Sequence, residues 1–271
     1  MNTMNILLTC INYNSYKELN IFLESVERAY QNQKNINLQV CIADNSETKI
    51  DVEFGKYSFG CQYYPFDNVG YFGGATGVFD KLRDIHKYDY VIISNVDLEV
   101  DKDLFKNLPN CDDDSIGWIS PSILSSFENR DKGLGLSCRP SKMKLKMLKF
   151  MFKYPWLLHI VENTIYKRKA YIQRSYDDEK IIYSGHGSFI ILTKYFFQAY
   201  SRLRYPMFLF GEELFLGELI RQKGLRVVYN PALKIYDHEH VSTSQLTSKF
   251  SCKCQYDSIS FILKTFYNKI R

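Results

Sequence analysis

The side chains in this 271-residue sequence whose types and spacing suit chemistry are few. Asp97 follows the apolar run Tyr88–Ser94 through Asn95-Val96. A carboxylate at the exposed end of a strand could hold a divalent cation, because Mg²⁺ and Mn²⁺ take oxygen ligands and bridge carboxylates to phosphates. The same position also suits a turn, or an N-cap for a helix near Asp101. Glu212-Glu213 opens an apolar segment of helical period, where two acids complement the positive end of the helix dipole. His238 and His240 stand late in the chain, where an imidazole is either a metal ligand or a structural or surface residue. Cys252-x-Cys254 has no second pair at metal-ligand spacing.

These residues need elements to position them. Met4–Ile11, Leu38–Ala43, Cys61–Phe66 and Tyr88–Ser94 read as short buried strands. Ser15 and Glu18 form a capping-box pattern ahead of a helix carrying Leu19, Phe22, Val26 and Tyr30. A glycine-rich turn from Asn68 to Gly77 leads into a helix carrying Ala75, Phe79, Leu82 and Ile85. Alternation of this kind predicts an α/β fold with a mostly parallel central sheet flanked by helices. Ligands bind beyond the carboxyl ends of such strands. Three polar clusters fall there: Asn12–Asn14, Asp44–Ser46 and Asn95–Asp97. Residues 124–180 are less regular. Later, Gly185–Leu192 reads as a strand, Lys194–Ser201 as a helix, and Glu212–Lys223 as a helix closed by Gly224. Arg226–Tyr229 and Lys234–Tyr236 read as two strands, and a terminal helix follows from Ser248.

Composition narrows the class. With 45% hydrophobic and 24% charged residues the chain is an ordinary folded one. A net charge of +5 does not argue for nucleic acid as a partner. The start of the chain lacks a basic leader segment, and seven cysteines, an odd number, point to reduced thiols in a cytoplasmic setting.

In order and spacing, Asp44-Asn45-Ser46, Asn68-Val69-Gly70-Tyr71-Phe72-Gly73-Gly74 and Ser94-Asn95-Val96-Asp97 resemble the successive motifs of family 2 glycosyltransferases of the GT-A fold. Their rhamnosyltransferase-like and O-antigen or capsule branch is the most similar. The likeness continues through Phe208–Leu214, Arg221–Pro231 and Asp237–Ser242, and covers about residues 4–123 and 181–244. It implies a GT-A domain over 1–245. The nucleotide-binding half is 1–123, a basic helical insertion spans 139–175, the acceptor half is 181–245, and residues 246–271 form a helical tail. It also implies a metal-dependent inverting transfer from a UDP- or dTDP-sugar, with Mn²⁺ or Mg²⁺, to a saccharide or lipid-diphosphate-saccharide acceptor. Tyr13 would pack near the nucleobase and Asp44 would accept a hydrogen bond from the pyrimidine ring. Asn68, Gly70, Gly73 and Asn95 would line the donor. Asp97 would ligate the metal, with His238 or His240 assisting. Glu213, or Glu212 beside it, would be the catalytic base. Asn95 stands where the family has Asp, Glu213 where it has Asp, and Ala75-Thr76 where it often has Asn.

Between Arg139 and Arg174 ten Lys or Arg accompany a single Glu, interleaved with Met, Leu, Phe and Trp. Such a segment suits an anionic membrane surface, where each basic residue contributes about 1 kcal/mol; it equally suits solvated helices covering the site. Two other classes are a sugar nucleotidyltransferase and a non-catalytic nucleotide-sugar-binding or scaffold protein. The first would want a basic glycine-rich loop after the first strand, where this chain has Asn12-Tyr13-Asn14.

Overall fold

The computed structural model describes residues 3–50, 55–108, 112–125, 130–156, 177–238 and 248–268. In chain order its first half runs β1 (Met4–Asn12), α1 (Tyr16–Tyr30), β2 (Ile36–Asp44), β3 (Gly60–Pro65), α2 (Tyr71–Lys81), β4 (Tyr90–Asn95), β5 (Leu98–Val100), α3 (Leu104–Asn107), β6 (Ile116–Ser125) and β7 (Arg130–Asp131). Then come α4 (Lys142–Lys153), β8 (Lys180–Ile182), β9 (Phe189–Thr193), α5 (Lys194–Ala199), α6 (Glu212–Gln222), β10 (Arg226–Asp237) and α7 (Ser248–Ile262). The last helix ends in a wider π turn, Leu263–Tyr267.

Alternation along each strand sets the layers. On β1, Ile6, Leu8 and Cys10 enter one buried cluster and Leu7 and Ile11 the other. Strands buried on both faces read as unbroken apolar runs, which is why β1, β2 and β4 are legible in sequence. One face is covered by α1, through Leu19, Phe22, Leu23 and Val26, and by α3. Each of those side chains contributes about 1.5–3 kcal/mol on burial. The other face is covered by α2, α4, α5, α6 and α7.

The ten described strands form one sheet in the order β3-β2-β1-β4-β9-β6-β10-β5, with β7 beside β6 and β8 beside β10. The first four are parallel. Beyond them the sheet is mixed: β9 runs antiparallel between β4 and β6, and β10 is parallel to β6.

Several elements differ from the sequence reading. Ser15 occupies the N-cap of α1, but its hydroxyl donates to the Tyr13 carbonyl and not to the helix. The glycine-rich stretch is itself helical from Tyr71. Its small residues let α2 lie against the sheet, since a Cβ at Gly77 would come within 2.8 Å of the Phe66 ring. The two late strands are one, β10, with a register irregularity between Asn230 and Lys234. Ahead of the irregular middle lies β6, an interior strand that the sequence reading left unassigned and that carries Pro121, which lacks a ladder donor. Of the basic insertion, α4 is described; residues 157–175 lie outside the described residues. All cysteines among the described residues are free.

Glu218 ties the late elements together. It is fully buried on α6 and accepts from Arg139 Nε, from Arg221 Nη2 at 2.8 Å and from the Tyr183 hydroxyl at 2.8 Å. The Arg139 guanidinium stacks on Tyr267 at 3.8 Å. Burial pushes the Glu218 carboxyl up, but the bonds from Arg139, Arg221 and Tyr183 overcome it and hold the group ionised. Arg139 and Arg221 both reach solvent, so removing Glu218 costs its charge-assisted hydrogen bonds without stranding a buried charge. Glu218→Ala is therefore expected to lower the urea-derived stability by about 2 kcal/mol, and a loss within measurement error would show the bonds to be inert.

Candidate active site

Strand register gathers the polar clusters. Asn12 stands opposite Asp44 and Ile11 opposite Asn95, so the three clusters share the carboxyl edge of the parallel half. Asn12 Nδ2 donates to Asp44 Oδ1 at 3.0 Å and to Ser46 Oγ at 3.1 Å. Asp44, fully buried, also accepts from the Tyr16 hydroxyl at 2.6 Å, the Tyr63 hydroxyl at 2.5 Å, and both Ser46 Oγ and its amide. Burial raises its pKa, but the Ser46, Tyr16 and Tyr63 bonds outweigh that and hold it below the usual range. A carboxylate offers about four lone-pair positions, so Asp44 is saturated. A ring N–H would reach it only by displacing a phenol. Tyr13 is 46% exposed, with its hydroxyl 3.4 Å from Glu47 Oε1.

Gly70 caps α2 at φ +80°, and a Cβ there would collide with the Phe208 carbonyl. The glycine lets two distant loops touch. Asn45 Nδ2 donates to the Gly70 carbonyl at 2.9 Å, and Asn68 Oδ1 accepts the Gly70 amide at 3.3 Å. Gly73 packs on Val69, where a Cβ would lie 3.1 Å from Val69 Cβ. Thr76 Oγ1 bonds back to the Phe72 carbonyl at 2.9 Å.

Asn95, two residues before Asp97, and Glu213 both bind one segment, His186–Ser188. The Ser188 carbonyl accepts the Asn95 amide at 2.9 Å, two residues from Asp97. The Gly187 amide donates to Glu213 Oε1 at 3.2 Å, and the Gly187 carbonyl accepts the Tyr71 hydroxyl at 2.8 Å. Tyr71 feels all three acids: burial first, then the charges of Glu212, Glu213 and Asp97, hold its hydroxyl well above the ordinary phenol range. Gly187 lets the Glu213 carboxylate approach closely, because a Cβ there would lie 2.7 Å from Glu213 Oε1 and would push that side chain aside.

Glu212 and Glu213 open α6 after Phe210 and Gly211, both at positive φ. Glu212 is 5% exposed, and burial, then the Glu213 charge, pushes its pKa up to about 8. Glu213 is only partly buried and turns to the cleft segment.

Of the expected metal ligands, Asp97 and His238 flank the paired residues Leu98 and Asp237 at the adjoining ends of β5 and β10. Asp97 is half-buried in the bend between β4 and β5. His238 Nε2 lies 3.2 Å from Glu99 Oε2, and Glu99 also pairs with Arg28 at 2.5 Å. Register explains this, because Tyr236 stands opposite Glu99 and His238 follows at the strand's end. His240 lies outside the described residues. Among the described residues no group of three or more His, Cys, Asp or Glu is gathered around a metal position. A single strand-end carboxylate fits an ion completed by substrate phosphates and water better than an all-protein cage.

Sequence reading passed over Tyr71, Gly187 and His186. His186 Nδ1 faces Ser188 Oγ at 2.9 Å and accepts the Ser188 amide at 3.3 Å. Burial, against the opposing pull of Glu213, keeps its pKa below the ordinary value, so the neutral ring carries its proton on Nε2. Beside it Lys132 pairs with Asp237 at 3.0 Å, both side chains almost wholly buried. The string Ser184-Gly185-His186-Gly187-Ser188 held a signal: two glycines bracketing a histidine before an apolar run.

No family model matches the sequence, and no curated protein sequence matches it. Solved structures are similar in shape. GalNAc-T7 crystallised with UDP, GalNAc and Mn²⁺ matches with a TM-score of 0.65 at 12% identity, over 99% of this chain and 49% of that one. S. aureus TarS matches at 0.59 and 10%, over 99% and 41%. TarS 1–349 in complex with UDP-GlcNAc matches at 0.59 and 9%, over 99% and 68%. The chain thus spans about half the length of the GalNAc-T7 chain and less of the longer TarS chain. At such identities the fold is what is shared, and it is the GT-A glycosyltransferase fold.

Glu212 titrates near about 4.3 in an unfolded chain and near about 8 here. A raised folded pKa means stability that is complete at low pH and lost as pH climbs through about 8. Glu212→Gln should melt with the wild type at about pH 3.5 and above it at about pH 9. A melting difference that stays constant with pH would show that Glu212 ionises freely.

Proposed function

We propose that the chain is a metal-dependent, inverting glycosyltransferase that moves a sugar from a UDP- or dTDP-sugar to a hydroxyl of a saccharide or lipid-diphosphate-linked saccharide. Its place would be in surface polysaccharide assembly of the O-antigen or capsule type, with a hexosyl or rhamnosyl donor. The observation that carries the reading is the Gly187 peptide, which joins the Glu213 side to Tyr71, while the next residue binds Asn95, two positions from Asp97. The GT-A fold supports it, as do UDP and Mn²⁺ in the GalNAc-T7 crystal and UDP-GlcNAc in the TarS complex.

Glu213 is oriented by the Gly187 amide and takes the proton of the attacking hydroxyl as its oxygen bonds to the anomeric carbon. The carbon–oxygen bond to the diphosphate breaks on the opposite side and the diphosphate leaves with the electron pair, which inverts the anomeric centre. Asp97, with His238 or His240, would hold Mn²⁺ or Mg²⁺, which supplies electrostatic stabilisation of the departing diphosphate when bound. Burial and the neighbouring Glu213 charge push the Glu212 pKa up to about 8, while Glu213 is the partly exposed member of the pair. The Tyr71 hydroxyl donates to the Gly187 carbonyl and so helps hold the peptide that orients Glu213. The donor base would lie against Tyr13 and would reach Asp44 only by displacing the Tyr16 or Tyr63 hydroxyl, with Asn68, Gly70, Gly73 and Asn95 along the diphosphate sugar.

Glu213→Gln should lower sugar transfer by about 10²–10⁴-fold while leaving UDP or dTDP binding intact. Asp97→Ala should remove the gain in nucleotide affinity that Mn²⁺ gives, read by titration calorimetry. Undiminished turnover in the first variant, or an unchanged Mn²⁺ effect in the second, would refute the assignment.

A further inference from the structure

Helix α4 has two apolar faces, and the fold uses one. Leu145 is buried, and Leu148 and Phe152 pack with it against the core beside α7. On the other side Met143, Met147, Phe150 and Tyr154 recur at helical spacing, 79%, 56%, 56% and 37% exposed, and Trp156 just beyond is 63% exposed. Large apolar side chains aligned in this way mark an interaction surface.

The charges around the stripe identify the partner. At helical spacing Lys142, Lys146 and Lys153 border one side and Lys144 the other. A groove of about 450 Å³ opens between α4 and the C-terminal helix, lined by Lys146, Lys149, Ser260, Leu263, Lys264 and Asn268. From Lys142 to Lys153 and from Ser248 to Tyr267 the chain carries eight lysines and one acid, Asp257. A face so uniformly basic repels its own copy and attracts an anionic surface. Arg139, held by Glu218 and stacked on Tyr267, and Ser141, whose hydroxyl accepts the Lys144 amide, fix where α4 begins.

We propose that this face docks in the plane of an anionic bilayer. The Met143–Trp156 stripe would sit at the acyl boundary, the bordering lysines at headgroup phosphates, and the three-lysine groove around one phosphate group. The inference goes beyond sugar transfer and does not require it. Joined to the proposed function, it brings the cleft to lipid-linked acceptors, because the C-terminal helix under α4 contacts the α6 start through Ser258 and Tyr205, 2.8 Å apart.

Co-sedimentation with vesicles of phosphatidylcholine alone, or mixed with phosphatidylglycerol, tests it, with Mn²⁺-dependent donor hydrolysis measured in parallel. The wild type is expected to partition to the mixed vesicles at least about tenfold more than to neutral ones. Met147→Ser with Phe150→Ser, and Lys142→Glu with Lys146→Glu, should each cut that partition about tenfold without changing donor hydrolysis or melting temperature. Equal partition of wild type and variants, or concentration-dependent dimers abolished by the serine pair, would overturn the proposal. Inorganic phosphate displacing the protein from vesicles at millimolar levels would also overturn it, by making the groove a free-phosphate site. Loss of donor hydrolysis in wild type with vesicle binding intact would refute the transferase reading alone.

Discussion

One peptide unit, Gly187, is the constraint around which the cleft is built. Its carbonyl accepts from Tyr71 at the start of α2 and its amide donates to Glu213 at the start of α6, while the next carbonyl binds the end of β4. Two helix starts and a strand end, far apart in sequence, are thereby held within a few bond lengths. Close backbone approaches make this possible. Gly70 and Gly211 both adopt positive φ, and side chains there would strike Phe208 and Ser258. A residue with a Cβ at either position would force apart loops that must touch.

Helix α6 shows how environment divides the roles of chemically identical groups. Glu212 is buried without a cation and has its pKa pushed up to about 8. Glu213, one residue on, is partly exposed and accepts the Gly187 amide. Glu218 is more deeply buried, yet two arginines and a tyrosine keep it ionised. Desolvation favours the neutral acid and hydrogen-bonded cations favour the carboxylate, so partners decide what burial alone would not. The same balance governs Asp44, whose five donors make it part of the scaffold that fixes β1, β2 and β3 at the pocket edge.

The outer layer follows a different logic. Helix α4 packs Leu145, Leu148 and Phe152 on the core but leaves Met143, Met147 and Phe150 in water, bordered by lysines. A helix that served only as a cover would place its polar face outward. Here the buried Glu218–Arg139 pair anchors the helix from within, which leaves the outer face available to a partner.

Much of this architecture was legible in the residues. The both-face-buried strands announce themselves as unbroken apolar runs, and the polar residues that end them mark one edge of the sheet. Asp97 and the Glu212–Glu213 pair are singled out by the motifs they share with a known family, because acids at strand ends and helix starts also serve turns, caps and helix dipoles. Other features depend on partners distant along the chain, which local periodicity does not encode. The strand β6 was obscured by Pro121, and the helical start of α2 by glycines that propensity assigns to a turn. The partners of Asp44 and His238 and the bridging role of Gly187 are likewise long-range. The sequence by itself determined which side chains are available and how each element alternates between core and solvent. Only the tertiary structure decided which of the acids is neutralised, which is paired and which faces the cleft, because desolvation and hydrogen bonding arise from packing between remote segments.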